Sequence, residues 1–311
     1  MNCGKPAVAA CLTLLALPGL AGFAAAQAPG VELKIVARFL PEEGNISDAA
    51  LLDNGHLALL YPEAGRIADY HLNGMLNQHV VREGGVESRF RPVCGVAGPS
   101  NMLYVFDEAT ASVYTIGTDG NIHRGVNLSY PLDGGGSTVL SRIGDLWVDS
   151  AGGLWAVLPE RGILAAFRRD GSFLSQTDLR ARISEPQAAF SRIQFGGDNS
   201  LYTLDYHQGA VYRFLPGTEQ ARRIVVEEVP GVDALPTVQD FAADPGGRLL
   251  ITTYIEQRPV LLLLPAGDRY RLHPISLDLP EGAGRLACRY SGGKFIVWSR
   301  ETPFVIVLQL D

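Results

Sequence analysis

Cysteine is scarce in this chain: four in 311 residues. A fold stapled by disulfides would carry far more, so stability has to come from a packed core. Charge is also thin, at 19% of residues, with no basic run anywhere. Acids outnumber lysine and arginine 33 to 26, a formal charge of −7. That balance argues against a nucleic-acid partner and against anionic lipid. Beyond residue 26 no stretch is long and apolar enough to cross a bilayer as a helix. No amphipathic helix is marked by apolar periodicity, and Leu179 to Ala189 offers one short turn between repeats at most. A Gly-x-Ser-x-Gly elbow is missing, which leaves a serine nucleophile without local support. The six histidines (His56, His71, His79, His123, His207 and His273) contain no pair at metal-binding helical spacing.

The first 26 residues read as a leader. Lys5 gives a weakly positive start, Val8 to Leu20 is apolar, and Ala24-Ala25-Ala26 supplies small residues for cleavage before Gln27. A periplasmic or secreted, soluble, monomeric protein of residues 27–311 is therefore expected. Cys3 and Cys11 leave with the leader, and Cys94 and Cys288 remain for an oxidising compartment.

What the chain does have is glycine (35), proline (19) and a recurring phrase. Asp145-Leu-Trp-Val-Asp149-Ser-Ala-Gly152-Gly153-Leu-Trp-Ala-Val157 is an apolar run, a turn and a second apolar run, which predicts a tight β-hairpin. Copies begin at Asp48, Arg192 and Asp240, and looser ones at Cys94 and Leu286. The residues opening the second strand of each copy are Leu57, Leu103, Leu154, Leu201, Leu249 and Phe295, in steps of 46 to 51 residues. Further strands follow each hairpin, separated by turns such as Asn73-Gly74, Asp119-Gly120 and Asp170-Gly171. Four strands at that period predict an all-β, six-bladed propeller of four antiparallel strands per blade. The sixth copy is one strand short, and Val31 to Leu40 is one strand too many. Pairing them closes the ring, with the N-terminal strand outermost in the last blade, and hides open sheet edges. Cys94 and Cys288 would then stand with one blade between them, too far apart for a bridge, as two buried thiols.

The phrases Gly144-Asp-Leu-Trp-Val-Asp149-Ser-Ala-Gly-Gly-Leu-Trp-Ala-Val157 and Gly209-Ala-Val-Tyr-Arg-Phe214 resemble the NHL repeat. The resemblance covers nearly all of residues 27–311 and implies a six-bladed propeller. The wider group it resembles holds ligand- and protein-binding propellers as well as lactonases, esterase-like enzymes and lyases. The second and sixth copies depart from it, because their turn aspartate is missing.

Counting nine residues back from each strand marker gives Asp48, Cys94, Asp145, Arg192, Asp240 and Leu286. In a propeller these positions line the central channel. Asp48, Asp145, Arg192 and Asp240 are expected to converge at one mouth, with Arg142 and Arg285 beside them. Two uses compete: a structural ring of Asp–Arg pairs, and a site for a small polar ligand or cation. Metal-dependent propeller hydrolases place Glu, Asn and Asp around a divalent cation, and oxygen ligands suit calcium. Here Asn54, Asn101 and Asn199 fall in hairpin turns, so the set is incomplete and no catalytic residue is assigned. Binding of a protein or envelope partner, or of a small polar ligand at the mouth, is the first expectation. A calcium-type hydrolase, lactonase or lyase is the second. Three smaller readings complete the picture. Asp107 and Asp205 are expected to cap turns, Gly134-Gly-Gly-Ser-Thr138 to form a flexible inter-blade loop, and the loop Glu219 to Val238 to offer a contact surface.

Overall fold

The computed structural model describes residues 33–81, 90–183, 185–224, 237–255, 258–264, 273–275, 277, 279–280 and 282–310. Six four-stranded antiparallel sheets follow one another along the chain. Their inner strands are Asp48–Leu51, Pro92–Gly98, Asp145–Val148, Phe190–Phe195, Asp240–Ala243 and Leu286–Ser291. Asp, Gly and Asn turns join each inner strand to a second apolar strand, as alternation of short apolar runs with turn residues dictates. The predicted six-bladed propeller is the observed fold. The leader read over residues 1–26 and most of the loop Glu219 to Val238 lie outside the described residues.

Closure runs through the first strand. Leu33–Phe39 pairs antiparallel with Val305–Leu310, from Leu33 opposite Leu310 to Phe39 opposite Val305, and is the outermost strand of blade 6. The core lies between blades, where the apolar faces of neighbouring sheets meet. Leu57, Leu59 and Tyr61 of blade 1, for example, pack on Ala287, Ile296 and Trp298 of blade 6. Trp298 is fully buried and donates its indole N–H to the Ile46 carbonyl at 3.2 Å. Trp147 and Trp155 of blade 3 lean on Phe195 of blade 4, with centroids 5.9 and 5.4 Å apart. These rings are inter-blade packing.

Two local readings change. Gly134 to Thr138 is not an open loop: Ser129–Pro131 and Ser137–Val139 form a two-stranded hairpin between blades 2 and 3. Gly135 and Gly136 both take positive φ at its tip, a conformation glycine adopts without steric cost. In blade 6 the first hairpin turns on just two residues, Gly292 and Gly293, both at positive φ, between the pair Ser291 and Lys294. This turn is shorter than the others, so counting nine back from Phe295 overshoots by one. The residue in register with Cys94 and Arg192 is Ala287, not Leu286. A short helix, Leu179–Ile183, occupies the connection from blade 3 to blade 4.

Candidate functional site

Blades 1, 3 and 5 each open their inner strand with an aspartate, and these three side chains are almost wholly buried. Each does the same two things. One oxygen accepts the N–H of the next residue: Ala49 to Asp48 at 3.0 Å, Leu146 to Asp145 at 2.9 Å and Phe241 to Asp240 at 2.9 Å. The other accepts an N–H from the inner strand of the following blade: Gly95 to Asp48 at 2.9 Å, Ile193 to Asp145 at 3.1 Å and Cys288 to Asp240 at 3.3 Å. The ring is thus threefold in its polar wiring, odd blades supplying the acceptor and even blades the donor.

Arg192, from blade 4, spans all three carboxylates. It forks onto Asp240, with Nε 3.0 Å from Oδ1 and a terminal nitrogen 3.2 Å from Oδ2. It also reaches Asp48 at 3.1 Å and Asp145 at 3.7 Å. Its guanidinium stands 5.6 Å from the centroid of Trp298. Arg289, from blade 6, lies 2.5 Å from Asp145 and 3.1 Å from Asp48, and donates to the Gly95 carbonyl at 2.6 Å. In the blade register Arg289 sits two residues beyond the position of Arg192, about 7 Å further along the axis. Gln194, the blade 4 counterpart of Arg289, accepts from the Ala243 N–H at 3.0 Å and donates to the Tyr290 carbonyl at 3.3 Å. Among the described residues, Arg300 meets the cluster from solvent: it is about half exposed and stands 3.5 Å from Asp240.

The electrostatics follow from this geometry. Burial pushes the Asp145 carboxyl above its ordinary range, against the pull of Arg289 and Arg192. Burial also works against the charge on Arg192, but Asp240, Asp48 and Asp145 outweigh it and hold the guanidinium well above its usual value. The carboxylate oxygens are committed to N–H groups and guanidiniums, and guanidinium nitrogens stand where an oxygen-ligated cation would need those oxygens. Among the described residues no group of three or more histidines, cysteines and acids is arranged to hold a metal ion.

Of the six residues read from the sequence, Asp48, Asp145, Arg192 and Asp240 meet. Arg142 does not join them: it faces Glu160 at 3.8 Å, and both side chains are largely in solvent. Arg285 is exposed too, and it is its backbone carbonyl that accepts the Arg300 N–H at 2.9 Å. Arg289, Gln194 and Arg300 were missed. The two-glycine turn of blade 6 was the available signal, since it fixes the register that places Arg289 on the axis.

The other ionisable candidates have local roles. Asp107 accepts from the Arg91 N–H at 2.6 Å and from the Thr110 hydroxyl at 2.6 Å, which caps its turn. Asp205 caps the matching turn of blade 4 through the Ala189 and His207 N–H groups, at 3.2 and 3.0 Å. Gln208 stands where blade 2 has Thr110, and the second oxygen of Asp205 is buried with no hydrogen-bond partner among the described residues. His207 is exposed, its ring edge-on to Tyr206. Cys94 and Cys288 are free and buried. Burial, then the neighbouring carboxylates, push both thiols well above the ordinary range. Both are therefore expected to resist maleimide labelling in the folded protein at pH 8 and to label fully in denaturant. Rapid labelling of either thiol in the native state would contradict this placement.

No family model and no curated protein matches the chain. Solved structures do. A virginiamycin B lyase from Staphylococcus aureus is 12% identical with a TM-score of 0.61, over 90% of this chain and 100% of that one. A gluconolactonase from Xanthomonas campestris is 15% identical with a TM-score of 0.60, over 90% of each chain. The Swd1 propeller domain from Myceliophteria thermophila is 10% identical with a TM-score of 0.56, over 86% of this chain and 98% of that one. At such identities the likeness is one of fold.

Proposed function

We propose that this chain is an exported propeller acting as a binding scaffold, engaging a protein or envelope partner or a small polar ligand at the mouth where the inner strands begin. One observation carries the reading: the three inner-strand carboxylates are all bonded to N–H groups and guanidiniums, so none has an oxygen left over to ligate a cation. On this reading the protein needs no resident calcium. The NHL-like phrasing of the repeats supports it as well, because rigid rings with variable loops suit recognition. Arg300 and the exposed Tyr206 each follow a second strand, at the end of the blade where the inner strand begins.

The second reading, a hydrolase or lyase, is favoured by the names of two of the structural neighbours. Assays of gluconolactone opening and of streptogramin B ring opening, each with calcium and with chelator, separate the two. We expect no turnover above the uncatalysed rate in either condition. Calcium-dependent turnover that disappears in Asp145→Asn would overturn the scaffold reading.

A further inference from the structure

We propose that the Asp205 corner of blade 4 is a binding position for a primary ammonium group, left open because Gln208 stands where blade 2 has a closing threonine. Blades 2 and 4 build this corner alike. Each ends its second strand in a buried aspartate, Asp107 or Asp205. The turn that follows has the same length in both and ends at positive φ, on Ala111 or Gly209. The third strand then carries a tyrosine, Tyr114 or Tyr212, edge-on to Phe90 or Phe190 with centroids 6.2 and 6.4 Å apart. In both corners one aspartate oxygen accepts two backbone N–H groups. The copies differ at the other oxygen. In blade 2 it accepts the Thr110 hydroxyl at 2.6 Å, and that hydroxyl also stands 3.2 Å from the Tyr114 hydroxyl. In blade 4 Gln208 accepts the Tyr212 hydroxyl at a long 3.4 Å and does not bond to Asp205.

The chemistry of the gap selects its occupant. Asp205 is fully buried, and its second oxygen lacks a donor among the described residues. A buried acceptor left without a donor is costly, so the position calls for one from outside the chain. Burial holds the Tyr212 phenol above its ordinary range against the pull of Arg223, and Asp205 and Glu185 push it the same way. Both acids therefore lie within electrostatic reach of the phenol, and neither has an ion-pair partner among the described residues. Two carboxylates and a phenol oxygen suit an ammonium, which brings both N–H donors and a positive charge. An alcohol brings a donor without the charge, and a quaternary ammonium the charge without a donor. The corner lies at the end where the inner strands begin, because Asp205 pairs with Phe190, the first residue of the blade 4 inner strand. The turn residues Tyr206, His207 and Gln208 are exposed, and swinging Gln208 outward breaks one long hydrogen bond.

The inference rests on the scaffold reading and deepens it by naming one ligand group at that mouth; melting tests it apart from turnover. Wild type and Gln208→Thr are melted in butylammonium, tetramethylammonium and sodium chloride at equal concentration, and in butanol. Gln208→Thr rebuilds the blade 2 corner, so in sodium chloride it should melt about 2–4 °C above wild type. Wild type should gain about 2–5 °C when butylammonium is roughly tenfold above its Kd, and nothing in tetramethylammonium or butanol. Gln208→Thr should gain nothing in any of them. Butylammonium that shifts both proteins equally overturns the proposal. So does butylammonium that shifts neither, and a higher-melting Gln208→Thr would then mark the corner as a place for water only. A Gln208→Thr protein no more stable than wild type also overturns it, because the two corners would then not be equivalent. Turnover in the lactone or streptogramin assay would sink the scaffold reading and leave these melting shifts untouched, whereas flat melting with no turnover would do the reverse.

Discussion

Asp240→Ala should cost about 3–5 kcal/mol, a fall in Tm of roughly 6–20 °C for a domain of this size. The side chain is 1% exposed and serves four groups at once. Its removal leaves the Phe241 and Cys288 N–H groups without their acceptor and takes the forked carboxylate from Arg192. The loss is large because of what remains: a buried guanidinium short of a counter-charge and two donors shut away from water. Asp240→Asn retains the shape and should cost less, since Arg192 still has Asp48 at 3.1 Å. Arg142→Ala supplies the contrast. Its partner Glu160 is 3.8 Å away and both side chains are more than three-quarters exposed, so the change should stay within about 0.5 kcal/mol. Equal melting temperatures for Asp240→Ala and Arg142→Ala would refute the account of the axis. Chemical denaturation measures the same ranking without relying on reversible melting.

The contrast also shows what the sequence could and could not yield. Hairpin phrases, the period of the strand markers and the spare N-terminal strand are local signals, and they suffice for six blades and their closure. That Asp48, Asp145, Arg192 and Asp240 share one layer was legible too, because four blades keep the same spacing between inner strand and turn. Which arginines complete the layer was not. In a strand a one-residue slip turns a side chain to the opposite face. The two-glycine turn of blade 6 makes such a slip: a fixed count puts Leu286 and Cys288 on the axial face, where Ala287 and Arg289 stand. Arg142 and Arg285 are close to the acids in sequence, but they precede the inner strands, and there the chain is still at the solvent-facing rim. The glycines at 134–136 misled for a related reason: glycine density signals a turn but not whether the flanking residues pair. Tyr130, buried at 2% exposure beside Phe173 of blade 3, fixes that hairpin through a contact distant in sequence.

A chain beginning at Leu40 should lose cooperative unfolding and aggregate at temperatures where the longer chain is soluble. The missing strand, Leu33–Phe39, does more than add six paired residues to blade 6. Phe39 packs on Tyr70 with centroids 5.4 Å apart, and the Asn73-Gly74 turn lies against it, so the strand ties blade 6 to blade 1. At about 0.5–1.5 kcal/mol per net hydrogen bond, with apolar burial added, its loss approaches the whole stability of an ordinary domain. The new edge would be Val305-Ile306-Val307-Leu308, four consecutive buried apolar residues with no charge among them. That is a template for strand pairing between molecules. The native edge is guarded, with Lys34 and Arg38 exposed on it and its register broken between Ile35 and Ala37. Light scattering during a melt, with far-ultraviolet circular dichroism, reads the outcome. Adding a synthetic peptide of residues 31–40 should restore the transition, because the pairing surface it needs is otherwise complete. A truncated chain that melts like the full one, without scattering, would mean that the ring holds without its closing strand.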